Sequence, residues 1–163
     1  MNMLVTEFDD CLVSKHGLLK VNLLELQKFS KSNVLVVATM SPYRKIAIDL
    51  EMLRIPYDYV ICKKDDITLD KNGCYVYLDS YNRKDLTKLT KSIEAIRRKE
   101  KINTRDIFTI ATYTTYVDMI EKYNGYTTKC ADSELKDIAL DTVSGVDMLV
   151  KRIESKTVFR RRW

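Results

Sequence analysis

The chain has 163 residues, 45% hydrophobic and 31% charged, with a formal net charge of +5, the size and balance of one globular domain that buries a sizeable core. Its longest apolar runs, such as VLVVATM at 34–40, are far too short to cross a bilayer, and the N-terminus lacks a signal-type apolar core. A cytoplasmic location without a membrane partner is therefore expected.

In chain order, MLVTEF (3–8) reads as a buried strand and LLELQKFSK (23–31) as a helix. VLVVAT (34–39) is a strand, apolar and β-branched between Asn33 and Ser41-Pro42. Ser41 as N-cap and Pro42 at the first helical position then open a helix with Tyr43, Ile46, Ala47, Leu50 and Leu53 on one face. DYVIC (58–62) is a strand, and ITLDKNGCYVYL (67–78) a hairpin whose Asn72-Gly73 pair suits the positive φ angles of a tight turn. A helix carries Leu86, Leu89, Ile93 and Ile96. IFTIA (107–111) is a strand, 114–124 a short helix ended by Gly125, and YTTKCA (126–131) the last main strand. After IALD, Ser144 caps a helix with Val146, Leu149, Val150 and Ile153 inward.

Strands alternating with amphipathic helices indicate an α/β, doubly wound, mostly parallel Rossmann-like sheet with a small β-hairpin insertion, as a single domain over residues 1–163. The ligand site of such a sheet lies beyond the carboxyl ends of its strands. That directs attention to residues 7–11, 39–41, 62–65, 111–113 and 131–133.

Cys11, Cys62, Cys74 and Cys130 form no C-x-x-C, and His16 is the one histidine, so a zinc site of ordinary ligand spacing is excluded and free, mostly buried thiols are expected. His16, in a Lys-His-Gly loop, reads as a solvated residue rather than a base. Residues 151–163, KRIESKTVFRRRW, hold six Lys or Arg against one Glu. This basic C-terminal tail equals the charge of the whole chain and leaves residues 1–150 neutral. Such a tail suits nucleic acid or an acidic protein surface, or a solvated helix end whose cations favour the dipole.

The strand ends carry a family likeness. TEFDDCLVSKHG resembles the first motif of the haloacid dehalogenase (HAD) superfamily of phosphatases, a strand entering Asp-x-Asp-x-Thr-Leu, with Glu7 on the first aspartate, Asp9 on the second, Cys11 on the threonine and Leu12 on the leucine. VLVVATMSPYRKIAIDLEMLRIPYDYVICKKDD is similar to the second motif of the Cof-type subgroup, with Thr39 as its phosphate-binding hydroxyl and Ser41 beside it. Met40-Ser41-Pro42 stands where that subgroup has Gly-Arg-Pro, and Cys62-Lys63-Lys64 where it has Cys-Asn-Gly. The likeness continues through the DKNG hairpin, IFTIATYTTYVDMIEKYNG and IALDTVSGVDMLVKRI. Only DLTKLTKSIEAIRRKEKINTRD occupies the place of the large cap domain. The resemblance thus implies a capless member with an open site, suited to macromolecules.

The resemblance also implies an attacking first aspartate, a proton-handling second, a phosphate-neutralising lysine and magnesium-supporting acids after the fourth strand. Glu7 adds a methylene to the attacker, and a misplacement of about 1 Å can cost on the order of a hundredfold in rate. Where the family has Gly-Asp-x-x-x-Asp the chain reads Ala111-Thr112-Tyr113-Thr114-Thr115-Tyr116, without either acid, and Asp118 is turned about 200° away on a helix. Lys88, with Lys84 and Lys91 as alternatives, stands for the lysine. The expectation is a catalytically degenerate domain without metal or cofactor. It would bind or regulate a macromolecular partner such as nucleic acid, an acidic protein or a transcription complex. The alternative is a surviving Mg2+-dependent phosphatase using Glu7 or Asp9.

Arg97, Arg98, Lys99 and Lys101 form a second basic cluster beside the tail's Arg160, Arg161, Arg162 and Trp163. On one shared face the two would track a phosphate backbone. Tyr113, Tyr116, Tyr123 and Tyr126 surround the fourth parallel strand, either to stack on bases or to fill the space of absent metal ligands.

Overall fold

A computed structural model describes residues 1–78 and 89–161, the side chains of residues 77–78 and 157–161 excepted. Lys84, Leu86, Lys88, Arg162 and Trp163 therefore lie outside the described residues, as do the side chains of Arg160 and Arg161. The strands are β1 (Met3–Glu7), β2 (Val34–Thr39), β3 (Tyr59–Cys62), β4 (Ile67–Asp70), β5 (Tyr75–Leu78), β6 (Ile107–Ala111), β7 (Asn124–Thr128) and β8 (Asp141–Val143). They form one sheet in the order β5-β4-β3-β2-β1-β6-β7-β8. Pairing is parallel from β3 to β8, while β4 and β5 add an antiparallel hairpin. Every residue of β1, β2, β3 and β6 is buried, because helices cover both sides of these parallel strands and an unbroken apolar run is what such a position requires.

The helices are α1 (Leu23–Ser30), α2 (Tyr43–Met52), α3 (Leu89–Glu100), α4 (Val117–Lys122), α5 (Ser133–Ile138) and α6 (Val146–Arg161). Leu26 and Phe29 of α1, Ile46 and Leu50 of α2, and Val146, Leu149, Val150 and Ile153 of α6 pack with Leu4, Val37 and Ile110 on one face of the sheet. Leu89, Ile93 and Ile96 of α3, Met119 and Ile120 of α4, and Leu135 of α5 pack with Val5, Val36 and Ala111 on the other. Asn22 accepts the Leu24 N–H at 3.0 Å and gives its own N–H to Asp147 at 2.8 Å, so one residue caps α1 and fastens it to the first turn of α6. Among the described residues no large cap is evident. Among the described residues between β5 and β6 stand α3 and a 3-10 turn at Thr104–Asp106.

Several local expectations are corrected. Pro42, extended at φ −61 and ψ 152, is the N-cap of α2, and Ser41 turns its N–H onto the Thr39 hydroxyl at 3.0 Å. In the hairpin only Gly73 has positive φ, at 79°, and Asp70 braces the turn by accepting the Asn72 and Cys74 N–H groups. Gly125 ends no helix: it lies inside β7, where a Cβ would meet the Ile120 carbonyl oxygen at 2.1 Å. The strand around it therefore begins at Asn124 and stops at Thr128, and β8 extends the sheet beyond it. Cys11 and Cys62 are buried as expected, but Cys74 and Cys130 are exposed. Among the described residues no helix is long and apolar enough to cross a membrane.

Candidate functional site

Strand order reverses at β1: β2 and β3 lie to one side, and β6, β7 and β8 to the other. The crevice that the topology creates is at the carboxyl ends of β1, β2 and β6. After β1 the chain turns sharply. Phe8 gives its N–H to Ala38, while its carbonyl accepts from Leu12 and Val13 at 3.0 and 3.3 Å. Asp10 takes the left-handed conformation at φ 63°. The chain then makes a short excursion in which Ser14 N–H bonds the Leu18 carbonyl and Lys20 N–H returns to Leu12. Ser14 Oγ stabilises its tip by accepting the His16 and Leu18 N–H groups.

Glu7 stands at the end of β1, one step beyond the Thr6–Ile110 pair in register, and so faces the residue that leaves β6. It is 1% exposed. Thr112 N–H donates to its Oε2 at 2.8 Å, and the Thr112 hydroxyl donates to Oε1 at 3.0 Å. Both carboxylate oxygens are thus engaged inside the protein. Burial raises the Glu7 carboxyl from 4.5 to about 7, with the Thr112 hydrogen bonds opposing the rise and the charge of Asp9 adding to it. Tyr116 is 2% exposed, and its hydroxyl is pushed above the ordinary tyrosine range by burial first and then by Glu7 and Asp9. Tyr113 crosses the mouth and donates its hydroxyl to Asp10, which raises the phenol to about 12.

The remaining site residues disperse. Asp9 is exposed, its carboxyl raised by desolvation against the strand ends and drawn back by Lys45 of α2. Thr39 is fully buried, and its hydroxyl oxygen accepts from Ser41. Lys88 lies outside the described residues. Lys63, within the strand-end stretch 62–65 but given no role by the sequence, donates to the Thr115 carbonyl and lies 5.8 Å from the centre of the Tyr116 ring. Burial lowers its pKa, against the attraction of Asp118 and Asp66. Asp118 itself accepts the Thr90 N–H at 3.4 Å. It serves the junction of α3 and α4, away from Glu7.

The residues present do not fit a magnesium ion. A hard cation requires several carboxylate and water oxygens in octahedral array. Here both Glu7 oxygens accept hydrogen bonds from Thr112, a hydroxyl and a phenol stand where the resemblance places two acids, and the described residues contain no group of three His, Cys, Asp or Glu able to hold a metal.

Of the first basic cluster, Arg97 pairs with Glu94 at 2.8 Å, and Lys99 lies 3.8 Å from Asp70, while Arg98 and Lys101 remain exposed. The cluster stands at the end of α3, which packs on one face of the sheet. Of the four tyrosines around β6, Tyr116, Tyr123 and Tyr126 are buried and Tyr113 is exposed.

No family model matches the sequence, and no curated protein matches it. Solved structures do match. A haloacid dehalogenase-like hydrolase from B. subtilis superposes with a TM-score of 0.78 at 10% identity, over 93% of this chain and 99% of that one. A phosphatase of the haloalkanoate superfamily from Bacteroides thetaiotaomicron gives 0.77 at 11% identity, over 94% and 95%. The 3-deoxy-D-manno-octulosonate 8-phosphate phosphatase of Moraxella catarrhalis, solved with magnesium and phosphate, gives 0.63 at 12% identity, over 94% and 85%. The chain has the haloacid dehalogenase fold.

Proposed function

We infer that this is a haloacid dehalogenase-fold domain whose phosphoryl-transfer centre is filled in, and that it works as a binding or regulatory protein for a macromolecular partner. The observation that carries this reading is the commitment of both Glu7 oxygens to Thr112 in a site 1% exposed. An attacking carboxylate needs an oxygen aimed at phosphorus, and the misfit to magnesium leaves an approaching phosphate unshielded from Glu7 and Asp9. The absence of a large cap among the described residues leaves the strand ends open to a large partner. The exposed Arg98 and Lys101 at the end of α3 suit an acidic protein surface. Nucleic acid, including a nucleic-acid-processing complex, remains an outcome of the binding test.

The second reading is a magnesium-dependent phosphatase, and one observation favours it: the superposed structures from Bacteroides thetaiotaomicron and Moraxella catarrhalis are phosphatases. Both readings meet in one experiment. The purified chain is assayed against a panel of phosphate esters with magnesium, beside its Asp9→Asn variant, and in parallel against DNA, RNA and acidic protein at two salt concentrations. Absence of turnover with salt-sensitive binding supports the silent domain. Turnover abolished by Asp9→Asn establishes the phosphatase.

A further inference from the structure

The Asp10–Tyr113 hydrogen bond divides the crevice. Glu7 is enclosed beneath it, while outside it a cleft of about 450 Å³ opens among the ends of β1, β6 and β7. Glu7 does not line this cleft. One wall is the loop braced by Ser14, carrying Lys15, His16 and Lys20. The other wall is Tyr113, whose ring is 37% exposed, with Asp132 below it.

The charges of the two walls are unequal in availability. Asp10 takes the Tyr113 hydroxyl. Asp132 uses Oδ2 to accept the Thr114 N–H at 2.9 Å, leaving Oδ1 without a hydrogen bond among the described residues. Lys20 gives one hydrogen bond to the Asp10 carbonyl at 3.2 Å, and among the described residues Lys15 has no ion-pair partner. The cleft therefore presents an ammonium-bearing wall with an imidazole and a hydroxyl, an aromatic face opposite, and two carboxylates, Asp10 and Asp132, each with one oxygen engaged. Ammonium groups on a braced loop suit a phosphate dianion. A partly exposed ring suits a planar heterocycle, and the unused Asp132 oxygen suits its exocyclic amino group. The volume matches a ligand of nucleotide size.

We propose that this cleft binds a nucleoside monophosphate, with its phosphate on Lys15, His16 and Lys20 and its base on Tyr113 and Asp132, as a recognition site without chemistry. This goes beyond the binding reading above, at a separate cleft, and rests on the silence of Glu7.

The test is calorimetric titration of the full chain with AMP, adenosine and inorganic phosphate, with phosphate release followed in the same samples. AMP is expected to bind more tightly than either fragment. The double variant Lys15→Gln, Lys20→Gln should weaken AMP by on the order of tenfold or more, and Tyr113→Ala by several-fold, with unchanged circular dichroism. Both lysines are exposed, so the double variant retains the fold. AMP binding no tighter than phosphate or adenosine, or unaltered by the lysine pair, overturns the proposal. Release of phosphate from AMP would instead overturn the silent-centre reading, whatever the affinity. AMP that neither binds nor is cleaved removes the cleft site alone.

Discussion

Thr112 supplies two donors to Glu7 across 105 residues of sequence, its backbone N–H to one carboxylate oxygen and its hydroxyl to the other. The pair fastens β1 to the chain leaving β6 at the point where the fold's crevice begins. A carboxylate held in this way is a structural acceptor. The glutamate side chain reaches sideways to the neighbouring strand end. Tyr116 closes the same space with a buried ring.

The buried Glu7 should make stability fall as pH rises through neutrality. Its folded pKa of about 7 lies above the ordinary 4.5, so between these values the folded state binds more protons than the unfolded one. The contribution is complete below about 4.5 and is lost as pH climbs through about 7, in total on the order of 3 kcal/mol. Urea unfolding at pH 5 and pH 8 should show this loss, and Glu7→Gln, neutral throughout, should flatten it. Equal slopes in the two proteins would place the titration elsewhere.

Thr112→Val tests the hydroxyl separately from the N–H. Valine keeps the backbone donor and the shape but removes the hydroxyl that donates to the buried Glu7 Oε1. The expected loss is about 1 to 3 kcal/mol, measured by denaturant midpoint, with the Glu7 titration moved further upward. Thr112→Ser should restore most of both. A valine variant as stable as the parent at pH 8 would mean that the hydroxyl contributes nothing.

The architecture was legible in the sequence wherever physics acts along the chain. VLVVAT and IFTIA are β-branched or apolar at successive positions because the central parallel strands are covered on both faces, and both ranges match β2 and β6. Val146, Leu149, Val150 and Ile153 are spaced for one helical face and are buried on α6. Three residues of an edge strand gave no such signal. In β8 only Val143 is buried, and its pairing with β7 is a tertiary event. Pro42 was misplaced by one position since its fixed φ fits both an N-cap and a first helical turn.

The site was legible as a place and not as a contact. Strand-end reasoning located Glu7, Thr39 and Thr112, but Thr112 read as a lost acid, and nothing local reveals that its hydroxyl points at Glu7. Lys63 was hidden for the same reason. A lysine after a strand reads as a surface charge until the Tyr116 ring and the Thr115 carbonyl are brought against it.

Magnesium should leave the melting temperature unchanged. An ion bound only by the folded state at a hundredfold excess over its dissociation constant adds about 2.7 kcal/mol, a rise of roughly 5 to 10 °C for a chain of this size. Thermal melts with and without magnesium at constant ionic strength should coincide, for the parent and for Asp9→Asn alike. A rise in the parent that Asp9→Asn abolishes would restore a metal site to the crevice.

Gly125→Ala should be among the most damaging single substitutions in the chain. The added Cβ would lie 2.1 Å from the Ile120 carbonyl oxygen and 2.7 Å from that residue's side chain, so α4 would have to lift from β7. No positive φ is involved, and the constraint is the close approach of helix and strand backbones. The carbonyl belongs to backbone that cannot swing aside, which places the cost above the usual range for overpacking, at about 3 kcal/mol or more. Because Thr112 and Tyr116 precede α4 directly, the lifted helix should also loosen the grip on Glu7, and near-ultraviolet circular dichroism should lose the signal of the packed tyrosines. Gly145→Ala, where an added Cβ meets nothing within 4 Å, supplies the control and should shift the denaturant midpoint little. Comparable midpoints for the two variants would show that α4 yields without cost and that the strand does not depend on this glycine.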